Sequence, residues 1–199
     1  MEANAGDGAM RRTASRFMAI VVLWVSLATP PVAARQVEGV RFPQRVDVGG
    51  TALELNCAAL LRYMVFIKAY VAALYLGDGV APEAVLADVP KRLEINYFHA
   101  ITAAQFVTAT TSTIGANTDA ATLAALRPRL ERFNQLYVDV QPGDRYAITY
   151  LPGVGTELSL NGQPRGVVEG PDFARAMFAI WLGDKPLDVA LKEGLLECS

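Results

Sequence analysis

Three residues of this 199-residue chain stand out as able to do chemistry: Arg62, Lys68 and Tyr70. They fall within the apolar run Arg62 to Leu76, RYMVFIKAYVAALYL, where an ordinary core strand would carry no charge. An arginine in apolar surroundings can hold a carboxylate through paired hydrogen bonds or steady a developing oxyanion, because a low dielectric strengthens both. It can equally be structural, pinning the loop before a strand or pairing with an Asp or Glu. Lys68 and Tyr70 are same-face neighbours on a strand. Arg62 and Lys68, six residues apart, lie roughly 20 Å from each other along a straight strand and could share one ligand group only if the chain bends.

Other chemistries find less support. There is one histidine and there are two distant cysteines, with no pair of ligands at a metal-binding spacing, so neither a metal nor any other cofactor is expected. His99 has no hydroxyl or thiol nucleophile placed with it by motif and reads as a structural or surface residue. Gly153-Val-Gly155-Thr lacks the following helix and lysine of a phosphate cradle and reads as a tight turn. Cys57 and Cys198 permit a disulfide, or a buried thiol and a terminal one.

The elements that must position these residues follow from periodicity. Tyr63, Val65, Ile67, Val71 and Tyr75 favour a pleated strand over 62–76, with Arg62, Met64, Phe66, Lys68, Tyr70, Ala72, Leu74 and Leu76 on one face. Apolar residues on both faces make it a central strand covered on both sides. Val37 to Leu55 reads as short strands with a Gly49-Gly50 turn, and Pro82 to Val89 as a short helix. Lys91 to Phe98 alternates Leu93, Ile95 and Tyr97 with Arg92, Glu94 and Asn96, a strand whose second side is expected to face water. Thr102 can cap one helix, and a second begins near Thr118-Asp119, with the stripe Leu123, Leu126, Leu130, Phe133, Tyr137 and with Pro128 kinking or dividing it. Strands return at 146–150, 157–160 and 165–168, the last two joined by Asn161-Gly162, and helices at 170–182 and 187–196 close the chain. Strand blocks broken by helices, without repeated strand-helix-strand units, predict an α+β fold with a largely antiparallel sheet.

Composition bounds the rest. The net charge of −2, with no cluster of Lys and Arg, argues against a nucleic-acid partner. Met10-Arg-Arg-Thr-Ala-Ser-Arg16, the apolar run Phe17 to Ala28 and the small residues Val32-Ala33-Ala34 have the layout of a secretory signal, with Met10 an alternative start. The expected organisation is therefore a signal peptide at 1–34 and one domain at 35–199. That places the mature chain outside the cytoplasm, in the periplasm, as a monomer with no stable membrane span.

The combination of Leu55-Asn56 to Arg62 leading into FIKAYVAALYL, LEINYF with Ile101-Thr-Ala, Gly143-Asp-Arg-Tyr146 with YLPGVGT, and NGQPRGVVEGPDFARAMFAIWLGDKP resembles the bacterial branch of the chalcone isomerase-like proteins. The resemblance implies an open-faced β-sandwich: a large antiparallel sheet with a helical layer and a ligand cleft between them. Plant members cyclise chalcones there; non-catalytic relatives bind fatty acids through an Arg and a Tyr. Arg62 stands where the family Arg is expected, and Lys68 where the plant enzymes also have Lys. Tyr70 replaces a plant strand Thr, Phe106 replaces a plant Tyr and loses its hydroxyl, and Thr113 falls near the plant Asn. Cys57-Ala-Ala-Leu60 departs from a Gly-rich turn. The resemblance thus implies a small apolar or amphipathic, fatty-acid-like ligand, bound by Arg62, Lys68, Tyr70, Phe106 and Thr113. Arg62 and Tyr70 are the catalytic pair if the protein is an isomerase or intramolecular lyase.

Overall fold

The computed structural model describes residues 34–64 and 66–198, which belong to one compact unit, Val32–Ser199. The expected signal peptide lies outside the described residues except for Ala34, which opens the first strand. A hairpin of β1 (Ala34–Val37) and β2 (Val40–Pro43) precedes a seven-stranded sheet. That sheet runs in chain order through β3 (Arg45–Val48), β4 (Thr51–Tyr63), β5 (Ile67–Gly77), β6 (Lys91–Tyr97), β7 (Arg145–Leu151), β8 (Gly155–Leu160) and β9 (Gln163–Val168), with each pair antiparallel. Helices α1 (Ala103–Asn117) and α2 (Ala120–Asn134) are inserted between β6 and β7, and α3 (Pro171–Leu182) and α4 (Val189–Leu196) follow β9. The α+β reading and the open-faced sandwich are both borne out.

The two faces of β5 explain the layering. Tyr70, Ala72, Leu74 and Leu76 pack in the larger core with all four helices, while Val71, Ala73 and Tyr75 pack with Phe42 and the β1–β2 hairpin. Local chemistry sets the helix ends. Thr102 and Gln105 form a capping box on α1, and the Asp119 carboxylate accepts from the Ala121 and Thr122 amides at the start of α2. Pro128 neither ends nor divides α2: it sits on the exposed side while Leu126, Leu130 and Phe133 are buried opposite it, but the helix stops at Asn134, before Tyr137. Pro82–Ala84 makes only one 3-10 turn. Asn161 and Gly162, at φ of 51° and 79°, form the expected β8–β9 turn.

α4 docks on β4. Asn56 Nδ2 donates to the Leu195 and Leu196 carbonyls, Cys57 is joined to Cys198 by a disulfide, and a Cβ on Gly194 would come within 2.8 Å of Ala59 Cβ. The alternative left open for the cysteines is thereby decided.

Two expectations are corrected. The run 62–76 is not one strand: β4 ends at Tyr63, the chain turns through Met64 at φ 50°, and β5 begins at Ile67, so Arg62 and Lys68 are cross-strand partners. Second, the outer side of β6 does not all face water. Glu94 is 5% exposed under the β1–β2 side, and accepts from Arg92 Nε at 2.9 Å and Arg145 Nη1 at 3.0 Å; the Arg145 guanidinium in turn lies over the Phe42 ring. An alternating pattern shows which face is polar; it cannot show that a preceding hairpin will fold over that face.

Candidate functional site

A cavity of about 210 Å³ lies between the helix-covered face of the sheet and α1 and α3. β5 contributes Tyr70, β6 Ile95 and Tyr97, β7 Tyr146 and Ile148, and β8 Leu158. Opposite them stand Phe106, Ala109 and Thr110 of α1, Ile180 and Trp181 of α3, and Tyr137 just beyond α2. The wall is built from interlocked rings. Tyr97 meets Tyr70 at 5.7 Å and Phe106 at 5.4 Å edge-on, and Phe106 stacks on Tyr137 at 5.3 Å. Exposed Gln105 and Leu187 mark the side open to solvent.

The polar atoms of this wall are few. Trp181 Nε1 donates to the Tyr70 hydroxyl at 3.1 Å, Thr110 and Tyr137 hydroxyls share a 2.9 Å bond, and the Tyr146 hydroxyl donates to the Val138 carbonyl while accepting from its amide. The Tyr97 hydroxyl has no hydrogen-bond partner among the described residues, although the side chain is only 4% exposed. Burial pushes the Tyr70, Tyr97 and Tyr137 hydroxyls well above the ordinary tyrosine range, so all three remain protonated at neutral pH. Gln105 spends its Oε1 on the α1 capping box.

The structure brings Tyr70 and Phe106 into this wall. Thr113 is buried on α1 but outside the lining, which takes Thr110 one turn earlier instead. Arg62 and Lys68 lie elsewhere: Lys68 Nζ donates to Glu38 Oε2 at 2.6 Å and Arg62 Nη2 to Oε1 at 3.4 Å. Glu38 sits in the β1–β2 turn, on the side of the sheet away from the helices, and its Lys68 hydrogen bond holds its carboxyl below the usual range. The reason is a bulge. Leu61 pairs with Tyr70 but Arg62 with Lys68, leaving Ala69 as an extra residue that reverses the alternation before it. Tyr70 therefore faces the helices and Lys68 does not. His99 is exposed, and Lys91 is fully buried outside the cavity, donating to the Ala87 carbonyl at 2.6 Å above the Tyr150 ring.

Of the wall residues that were not singled out as site residues, Tyr97, Tyr137, Tyr146 and Trp181 are the aromatic ones. Each shows in the sequence only as an apolar position of a strand or helix. An inward face signals burial and does not distinguish a filled core from a hollow one.

A twisted antiparallel sheet with one helix-covered face and an aromatic-walled cavity between the layers defines an α+β ligand-cleft protein. The family model described as chalcone isomerase-like matches residues 34–197, and the chain belongs to that family. Among solved structures it resembles the crystal structure of Arabidopsis thaliana fatty-acid binding protein AtFAP1, with a TM-score of 0.66 at 14% identity, over 82% of this chain and 96% of that one. At that identity the likeness is one of fold. No curated protein sequence matches the chain.

Proposed function

We propose that this chain is an exported, monomeric binding protein for a small apolar or amphipathic molecule, fatty-acid-like in character, and that it does not carry out the plant isomerase reaction. The lining of the cavity carries the reading. Rings and aliphatic side chains form nearly all of it, with isolated hydroxyls to orient one oxygen of a guest. An engineered apolar cavity of about 150 Å³ takes up benzene, so this one has room for a ring with substituents or a short stretch of acyl chain.

The titratable groups of the lining are tyrosines whose burial holds them protonated, and these are poor general bases at neutral pH. Phe106 offers no hydroxyl. A carboxylate drawn fully inside would meet no cation in the lining and would pay several kcal/mol in desolvation. An acidic ligand accordingly sits with its hydrocarbon inward and its carboxylate at the open side, beside the Gln105 amide. The description of AtFAP1 as a fatty-acid binding protein supports the ligand class.

The test is native mass spectrometry of the protein purified from cells, with displacement of an apolar naphthylamine dye. Bound lipid-sized mass and saturable dye binding are expected, and Ala109→Trp, which places an indole at the cavity wall, removes both while leaving the circular dichroism unchanged. An empty protein that takes up no dye would overturn the proposal. Export is tested by the mass of the mature chain, expected to begin at Arg35.

A further inference from the structure

We propose that the turn joining β4 and β5 is a membrane-docking tip that inserts into the surface of an anionic phospholipid bilayer. Tyr63, Met64, Phe66 and Ile67 are 62%, 70%, 87% and 44% exposed. They make up half of the large apolar residues exposed among the described residues, gathered at one hairpin end. Scattered exposed apolar side chains are ordinary; a cluster of this kind marks a contact surface.

The shape and charge of the tip select a bilayer. A hairpin end is convex, and a fluid interface accepts a convex apolar projection without a matching groove. Arg62 and Lys68 flank the tip, each about half exposed, and share the single carboxylate of Glu38, which leaves one positive charge in excess on a chain whose net charge is −2. Long cationic side chains at the base of an apolar insertion reach the phosphate level by extending their stems through the interface. Tyr63 adds an amphipathic ring of the type enriched at that level.

The depth also fits. Ile67 lies three residues before Tyr70, roughly 10 Å along the strand, and interfacial apolar groups enter about 5–10 Å into the headgroup boundary. With the tip inserted, the strand that carries Tyr70 into the cavity wall meets the lipid headgroups. A molecule of the class proposed for the cavity, sparingly soluble in water, is held in that layer. The docking itself does not depend on the cavity being occupied.

The experiment uses the compact unit Val32–Ser199, which contains both cores and the disulfide, so that the apolar run Phe17 to Ala28 does not contribute. Ligand-stripped protein is sedimented with phosphatidylcholine vesicles with and without phosphatidylglycerol. Association that strengthens with phosphatidylglycerol and weakens with salt is expected. Met64→Ser/Phe66→Ser should lower the partition coefficient about a hundredfold, from the transfer free energy of two large apolar side chains, with the dye binding of the cavity retained. Arg62→Ala/Lys68→Ala should remove only the increment due to phosphatidylglycerol. Absence of wild-type association, equal association of the tip variant, or a tip-dependent dimer in light scattering would each overturn the proposal. Because dye binding is read separately, failure here is distinguishable from failure of the cavity reading.

Discussion

Replacing Tyr70 by phenylalanine should cost stability where replacing Tyr97 should not, although both tyrosines line the same cavity and touch ring to ring. The Tyr97 hydroxyl has no partner among the described residues but, unlike the sealed and unpaired Tyr75 hydroxyl, keeps accessible surface in the cavity. An unbonded hydroxyl sealed from water costs about 1 to 3 kcal/mol, and one that water can still reach costs less. Tyr97→Phe should therefore leave the stability of the empty protein unchanged or raise it by less than about 1 kcal/mol, a rise in Tm below about 2–4 °C in a chain of this size. The Tyr70 hydroxyl accepts from Trp181 Nε1, which has no other acceptor among the described residues. Tyr70→Phe strands that indole donor and should destabilise by about 1 to 2 kcal/mol.

Urea denaturation followed by far-ultraviolet circular dichroism at neutral pH, where both hydroxyls are protonated, measures the two differences. Ligand binding supplies the other half of the test. If the Tyr97 hydroxyl is left unpaired to meet a guest oxygen, Tyr97→Phe should weaken binding of an oxygen-bearing ligand about three- to tenfold, the net worth of one neutral hydrogen bond. It should leave an unsubstituted hydrocarbon unaffected. Destabilisation by Tyr97→Phe of more than about 1 kcal/mol would refute the reasoning, since a hydroxyl that holds the fold together is not reserved for a ligand.

Among the described residues Glu94 is the one carboxylate bonded to Arg92 and Arg145 in a mostly buried cluster, and Glu94→Ala should cost about 3 kcal/mol in urea denaturation. Burial lowers the Lys91 pKa to about 8, so the folded chain holds fewer protons than the unfolded one above that value. Stability should thus rise with pH from about 8 until the tyrosines of the unfolded chain ionise near 10, and Lys91→Met should abolish the rise. Reducing Cys57–Cys198, which closes a separation of 141 residues, should cost up to about 5 kcal/mol on the chain-entropy account, read as a fall in Tm with a thiol reductant. Arg62→Ala, whose partner Glu38 lies across the sheet from the cavity, should leave dye affinity unchanged within about twofold, as expected for an exposed ion pair remote from the guest.

Much of the architecture was legible because it rests on short-range chemistry. The Thr102 cap, the Asp119 start, the Pro171-Asp172 opening of α3 and the Asn161-Gly162 turn each satisfy a local backbone requirement that neighbouring residues reveal. Tyr70 and Phe106 were legible as wall residues through the family pattern. The burial of Glu94 was not legible, the disulfide was left open against free thiols, and the cleft came only from the family resemblance, since each depends on segments far apart in the chain: the β1–β2 hairpin over β6, α4 over β4, and α1 with α3 over β5 to β8. No periodicity within one segment carries that information.

The division of labour along β4 and β5 turns on one residue. With strict alternation, Lys68 and Tyr70 would share the helix-facing side, and a cation would enter the cavity wall, where its desolvation would require a buried anion or an anionic guest. Ala69, inserted between the pairs Leu61–Tyr70 and Arg62–Lys68, reverses the sides. A small side chain fits there because Ala69 and Tyr70 both pack toward the helices, where a larger residue would compete with the Tyr70 ring. The bulge thereby keeps the cavity wall uncharged and places Lys68 beside Arg62, where both cations share Glu38 next to the apolar turn. The same local feature separates an apolar cavity from a cationic surface within three residues of chain.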